Sequence, residues 1–181
     1  MFSFVESLRA AGTDITLRHV SVTTDLVVLK DLFSREFSAR TYRSSMSIED
    51  LRQIYTGITL SSNADAYMAW AGDLCMFLFE VHEARYYDVP AGLPVDEGDW
   101  IVDLFIERHP LMENAMYIAA LQACILQCVR QPGVRQLILE THFVVQYKWM
   151  KELFTAVGFQ FWKEGSLGAG KEIYQLSTLA Q

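Results

Sequence analysis

The stretch from Asp99 to Arg130 holds the residues best placed to do chemistry. An apolar run, Ile101 to Ile106, reads as a buried strand that passes through a short loop into a long apolar helix, the layout of a phosphate-binding turn. Backbone N–H groups at the start of such a helix, backed by its dipole, can hold a pyrophosphate, and glycines in the loop normally permit the close approach. Here the loop, Glu107 to Asn114, contains no glycine. Asn114 is placed to cap the helix. Asp103 interrupts the apolar strand, and a carboxylate there is either a proton-transfer group or a core carboxylate satisfied by hydrogen bonds.

Two other motifs carry less. Gly165 to Glu172 nearly spells a nucleotide-binding P-loop, but Glu172 stands where the Mg-binding hydroxyl belongs and Ile173 to Leu179 reads as a strand instead of the required helix. It is read as a hairpin loop. Cys124 and Cys128, four apart, share a helix face with no second pair of ligands nearby. With Cys75 they are expected to be reduced, buried thiols, and no metal is expected.

These residues need a scaffold, and composition bounds it. The chain has 181 residues, 51% hydrophobic and 20% charged, which suits one compact domain spanning residues 1–181. A net charge of -7 argues against a sequence-independent nucleic-acid surface, which rests on many Lys and Arg contacts to phosphate. Met1 to Gly12 lacks the basic start and apolar stretch of a secretory signal, and the most apolar segment, Ala115 to Val129, is too short to span a bilayer. A cytoplasmic protein that touches no membrane is expected.

Periodicity supplies the elements. Met1 to Ala11 is read as a short amphipathic helix through Phe2, Val5 and Leu8, and Ile15 to Val20 as a strand. Thr24 is expected to cap a helix carrying Leu26, Leu29, Leu32, Phe33 and Phe37; Ser47 and Asp50, at capping-box spacing, open another that buries Ile48, Leu51, Ile54 and Tyr55. Gly72-Asp73 joins two apolar runs, Ala66 to Ala71 and Leu74 to His82, as a hairpin. Glu83 to Gly98, with two prolines and two glycines, is a long loop, and its Tyr86 and Tyr87 could line an acceptor cleft. Beyond the central helix, Gln136 to Glu140 makes a strand, Gln146 to Val157 a helix, and Gln160 to Lys163 with Ile173 to Leu179 a closing pair of strands.

This order, with two motifs, resembles the GCN5-related N-acetyltransferase (GNAT) superfamily. Asp103-Leu104-Phe105-Ile106 is similar to the acidic-Leu-aromatic-Val strand preceding that family's acyl-CoA loop, and Glu152 to Phe159 to its helix ending in Gly-Phe, with Phe154 where a tyrosine usually stands. The resemblance implies one α/β (α+β) domain, a mixed twisted sheet of about seven strands flanked by about four helices. It also implies transfer of an acetyl or other acyl group from acyl-CoA, the co-substrate, to an amine.

In such a fold the donor lies where two parallel strands part, here Ile101 to Ile106 and Gln136 to Glu140. Backbone groups near Phe105 and Ile106 would pair with its extended arm and stabilise an oxyanion, and Arg108 and Asn114 would meet its phosphates. The resemblance makes Asp103 the first candidate base, followed by Glu140 and then His142, which could instead cap a helix or lie at the surface. Phe154 cannot protonate a leaving thiolate; Tyr147 is the nearest hydroxyl in that helix, as proton donor or as packing residue. Aligned with the family loop, Glu113 places negative charge where pyrophosphate should dock, and Arg108 and His109 offset part of it. The expected partners are a small-molecule or peptide amine and a second copy of the chain in a homodimer, without nucleic acid. The competing expectation is a degenerate member of the fold that lost CoA and serves as a binding or assembly module.

Overall fold

The computed structural model describes residues 5–35, 42–87, 94–106, 108–141, 148–164 and 172–177. They group into two compact units, Met1–Glu80 with Leu104–Met116, and Val81–Asp103 with Tyr117–Gln181.

The first unit opens with a hairpin of β1 (Val5–Ala10) and β2 (Thr13–His19), paired so that Ala10 faces Thr13 and Leu8 faces Ile15. The helix expected over Met1 to Ala11 is therefore a strand. Ala11 and Gly12 both take positive φ, 50° and 77°, which is the two-residue turn whose twist matches paired strands. The ladder to β2 outweighs a helical spacing that rested on three residues. β2 pairs antiparallel with β3 (Ala64–Ala71), and Gly72-Asp73, with Gly72 at φ 58°, turns β3 into β4 (Leu74–Glu83) as expected.

Two helices cover this unit's core. In α1 (Leu26–Ser34) the buried stripe is Leu26, Leu29, Leu32 and Phe33. Asp25, not Thr24, is the N-cap; its carboxylate is taken by the Arg18 fork at 2.6 and 2.7 Å and by the Ser21 N–H at 2.7 Å. Phe37 lies outside the described residues. α2 (Ile48–Leu60) has the expected capping box between Ser47 and Asp50 and buries Leu51, Tyr55 and Ile58. Ile48, expected inside, is 42% exposed: it occupies the first helical position, at the end of the apolar stripe. Both stripes pack with Met68, Leu78 and Phe105 in one apolar cluster.

The second unit is built on β5 (Asp99–Ile106), whose first half lies here, and β6 (Gln136–Thr141), paired in parallel. The parallel crossover is α3 (Asn114–Val129), with Cys124 and Cys128 buried along one face as expected. α4 (Lys148–Ala156) buries Met150, Leu153 and Phe154. β7 (Gln160–Glu164) and β8 (Glu172–Ser177) form the expected closing hairpin, with a bulge between Phe161 and Lys163. Ile173 sits in a strand, which excludes the helix a P-loop requires; residues 165–171 lie outside the described set. Ala84, Ile101 and Ile138 form a small apolar cluster with Tyr87 and Val95 against it.

The strands form a sheet in the order β1-β2-β3-β4-β5-β6-β8-β7, eight strands where about seven were expected, with four α-helices among the described residues. The mixed α/β class expected from the sequence is the class observed.

Candidate active site

The register of β5 with β6 covers four positions, from Asp99↔Gln136 to Val102↔Leu139, and stops. β5 itself runs on to Ile106 and β6 to Thr141. The first residues past the last pair are Asp103 and Glu140, so the two carboxylates named from the sequence leave the ladder at the same level. Glu140 stays bound on its other side, where it faces Ile173 of β8; its side chain lies outside the described set. His142 and Tyr147 also lie outside it.

Asp103 is 7% exposed. Its Oδ2 accepts a 2.6 Å hydrogen bond from the Tyr87 hydroxyl, and the Tyr87 ring stacks on His82, centroids 4.9 Å apart and planes 28° apart. Tyr87 follows a short 3-10 turn, Ala84–Tyr86, that ends β4 and brings the chain back towards β5. Tyr87 was noticed in its loop, but the sixteen residues between it and Asp103 hid their pairing. Tyr86 is 64% exposed. His82 was missed. A signal existed: Glu80 and His82, two apart, are polar residues on one face of a strand whose first six residues are all apolar.

The base of this pair of strands is pinned by charge. Asp99, buried at the start of β5, accepts a two-pronged contact from Arg135 at 2.7 and 2.6 Å and a third hydrogen bond from the Asp96 N–H at 2.8 Å. Burial would raise the Asp99 carboxyl, but the Arg135 fork and the Asp96 N–H outweigh it and hold it below the usual carboxylate range. Gly98 has φ +85°, and its carbonyl accepts a hydrogen bond from the Arg135 backbone N–H at 2.7 Å.

The residues expected to meet a donor follow along the second half of β5 and its loop. Phe105 and Ile106 are buried at 8% and 0%. Arg108 and Asn114 are exposed. The loop is held by its own backbone: the Met112 N–H donates to the His109 carbonyl and the Met116 N–H to that of Glu113, both at 3.0 Å, and Leu111 N–H donates to His109 Nδ1 at 3.2 Å. Pro110 and this turn do the work of glycine in reversing the chain, while Glu113 stays exposed beside the helix start.

Phe105 also rests on a cluster that sequence reading did not find. Its ring meets Phe33 edge-on at 4.9 Å, and the Arg43 guanidinium lies over both rings, 5.1 Å from Phe105 and 5.6 Å from Phe33. Arg43 donates to the Tyr55 hydroxyl at 2.9 Å and pairs with Glu80, which also accepts from the Tyr55 hydroxyl. Glu80, 37 residues from Arg43, is fully buried. Burial, then the Glu80 charge, push the Tyr55 hydroxyl well above its ordinary range, so it remains a donor.

No helix among the described residues is long and apolar enough to cross a membrane. A search of curated proteins finds no match. Among solved structures, an uncharacterized protein from Bacillus halodurans superposes with TM-score 0.77 at 16% identity, covering 97% of this chain and 91% of that one. The aminoglycoside acetyltransferase AAC(6')-Ib in complex with coenzyme A superposes with TM-score 0.73 at 14% identity, covering 92% and 96%. RimL, a ribosomal L7/L12 alpha-N-protein acetyltransferase in complex with coenzyme A, gives TM-score 0.68 at 12% identity, covering 97% and 100%. At such identities the likeness speaks to the fold. The family model described as "Acetyltransferase (GNAT) domain" matches residues 21–167, and the chain belongs to that family.

Proposed function

We propose that this protein transfers an acyl group, acetyl foremost, from acyl-CoA to an amine, with Asp103 as the base. The observation that carries the reading is the position of Asp103: a buried carboxylate at the first residue past the last β5–β6 pair, already accepting a hydrogen bond. Family membership supplies the co-substrate class, and the structural neighbours crystallised with coenzyme A support it.

The chain fits the donor in part. Among the described residues the β5–β6 ladder ends at Val102, which suits the β5 backbone beyond it to pair with an extended amide-bearing arm near Phe105 and Ile106. The first turn of α3 leaves N–H groups without intrahelical acceptors, and Arg108 and Asn114 beside it suit phosphate. Glu113 opposes them and keeps affinity modest. Asp103 takes a proton from the attacking ammonium; the nitrogen forms a bond to the acyl carbon, the carbon–sulfur bond breaks, and the CoA sulfur leaves and is protonated. A backbone N–H near Ile106 stabilises the oxyanion between these events. Glu140, level with Asp103, is the second carboxylate for the amine; Tyr147 is the remaining hydroxyl candidate in the reading.

The test is CoA-thiol release and product mass with a panel of small amines, aminoglycosides and peptide α-amines. Turnover of at least one is expected, with Asp103→Asn lowering kcat/KM by about 10²-fold or more. No turnover with any amine, or full activity in D103N, would sink the proposal. Glu113 and the buried Phe154, 1% exposed, favour the other reading, a fold kept without CoA, which predicts no donor binding at all.

A further inference from the structure

Tyr87 lies outside every residue assigned above to donor binding or proton transfer, yet it makes two directed contacts, a hydrogen bond to Asp103 and a ring stack on His82. It stands one residue beyond the 3-10 turn Ala84–Tyr86 and is part-buried. The turn is set in place by backbone, the Tyr87 N–H donating to the Ala84 carbonyl at 3.2 Å. Ala84 itself is 1% exposed and packs with Ile101 and Ile138, residues of the two strands that part just beyond. The ring is braced on one side by the His82 imidazole, nearly parallel at 28°. Its hydroxyl donates to Asp103 Oδ2 at 2.6 Å, at the short end of the range for O–H···O bonds.

We infer that Tyr87, braced by His82, is a positioning residue that fixes the Asp103 carboxylate in the orientation a base needs. The inference rests on the acyl-transfer reading and deepens it by one residue. A carboxylate in a strand has a broad, roughly two-fold terminal torsion, so its oxygens are not fixed by the backbone alone. A donor on Oδ2 holds that oxygen and with it the plane of the carboxylate. His82 contributes its ring face: the stack limits the swing of Tyr87 and so the place of the hydroxyl. Sequence spacing supports the division of labour, since β4 supplies His82, the segment after it Tyr87 and β5 Asp103, and all three residues fall in the same compact unit.

The test uses Tyr87→Phe, which keeps the ring and its stack. In the wild-type protein a Tyr hydroxyl proton slow to exchange should be visible by NMR, and it should vanish in Y87F and in Asp103→Leu alike, the latter removing the acceptor. In turnover, Y87F should lower kcat about tenfold or more, the loss of one hydrogen bond to a charged group, while KM for acetyl-CoA stays the same. Y87F/D103N should be no slower than D103N, because a residue acting through Asp103 has nothing left to act on. His82→Phe, which preserves a ring to stack on, should retain most of the activity that His82→Ala loses. A hydroxyl signal that survives Asp103→Leu, or losses that add in the Y87F/D103N double variant, would overturn the inference. If that signal behaves as expected but no amine is acylated, the acyl-transfer reading falls and the held carboxylate stands.

Discussion

Removing the Arg43 guanidinium is the perturbation the first unit should tolerate least. Arg43 and Glu80 have side chains only 5% and 0% exposed, so neither charge is screened by water. Such a pair is poor evidence of net stability, because desolvating both ions offsets much of their attraction. Breaking it is another matter. Arg43→Met removes the cation and the cation–π contacts to Phe33 and Phe105, and leaves the buried Glu80 carboxylate without its countercharge. The expected cost is about 3–5 kcal/mol, against a total of roughly 5–15 kcal/mol for a domain. With urea slopes of about 1–3 kcal/mol per molar, the midpoint should fall by about 1 M or more. Urea unfolding followed by circular dichroism reads this directly. Arg43→Met combined with Glu80→Gln should recover at least about half of the loss, since the amide still accepts from Tyr55 and carries no charge. A loss under about 1 kcal/mol for R43M, or single losses that simply add in the double variant, would refute the reasoning.

Other consequences follow from single sites. Because the Asp99 carboxyl is held below the ordinary value, its contribution is present above about pH 4 and is lost as pH falls through the folded-state value; Asp99→Asn should flatten the acid side of a stability-against-pH curve. Gly98→Ala should cost more than about 2 kcal/mol, since φ is +85° and the added Cβ would stand 2.2 Å from the Gly133 carbonyl oxygen. Gly57→Ala, inside α2 with nothing within 4 Å of the new Cβ, should instead stabilise by about 0.5–1 kcal/mol in thermal melts. Burial pushes the Cys75 thiol up to about 12, so iodoacetamide at pH 8 should leave it unmodified in the native protein and alkylate it in urea.

What was legible in the sequence was local. The Ser47 box and the Gly72-Asp73 turn each act through neighbours within a few residues, and both are where spacing placed them. β5 and β6 were legible as strands from their apolar runs, and their parallel pairing followed from the resemblance to the family. Met1 to Ala11 was misread because three apolar residues fit a helix as well as a strand, and only pairing with β2 decides. The Arg43–Glu80 pair was invisible for a deeper reason: its members look like ordinary surface charges until the fold brings them together across 37 residues. The candidate site divides in the same way. Asp103 and Glu140 could be named from their strands, whereas Tyr87 and His82 acquire meaning only from a side chain on the next element.

Binding of a CoA thioester by the β5 strand and the glycine-free turn separates an acyltransferase from a fold kept without its donor. Isothermal titration of the wild-type chain with acetyl-CoA measures that without assuming an acceptor. One site per chain is expected, with affinity between micromolar and hundreds of micromolar, and Glu113→Gln should bind more tightly because it removes the charge opposing phosphate. No heat of binding at hundreds of micromolar acetyl-CoA, in wild type and E113Q alike, would contradict the acyl-transfer reading.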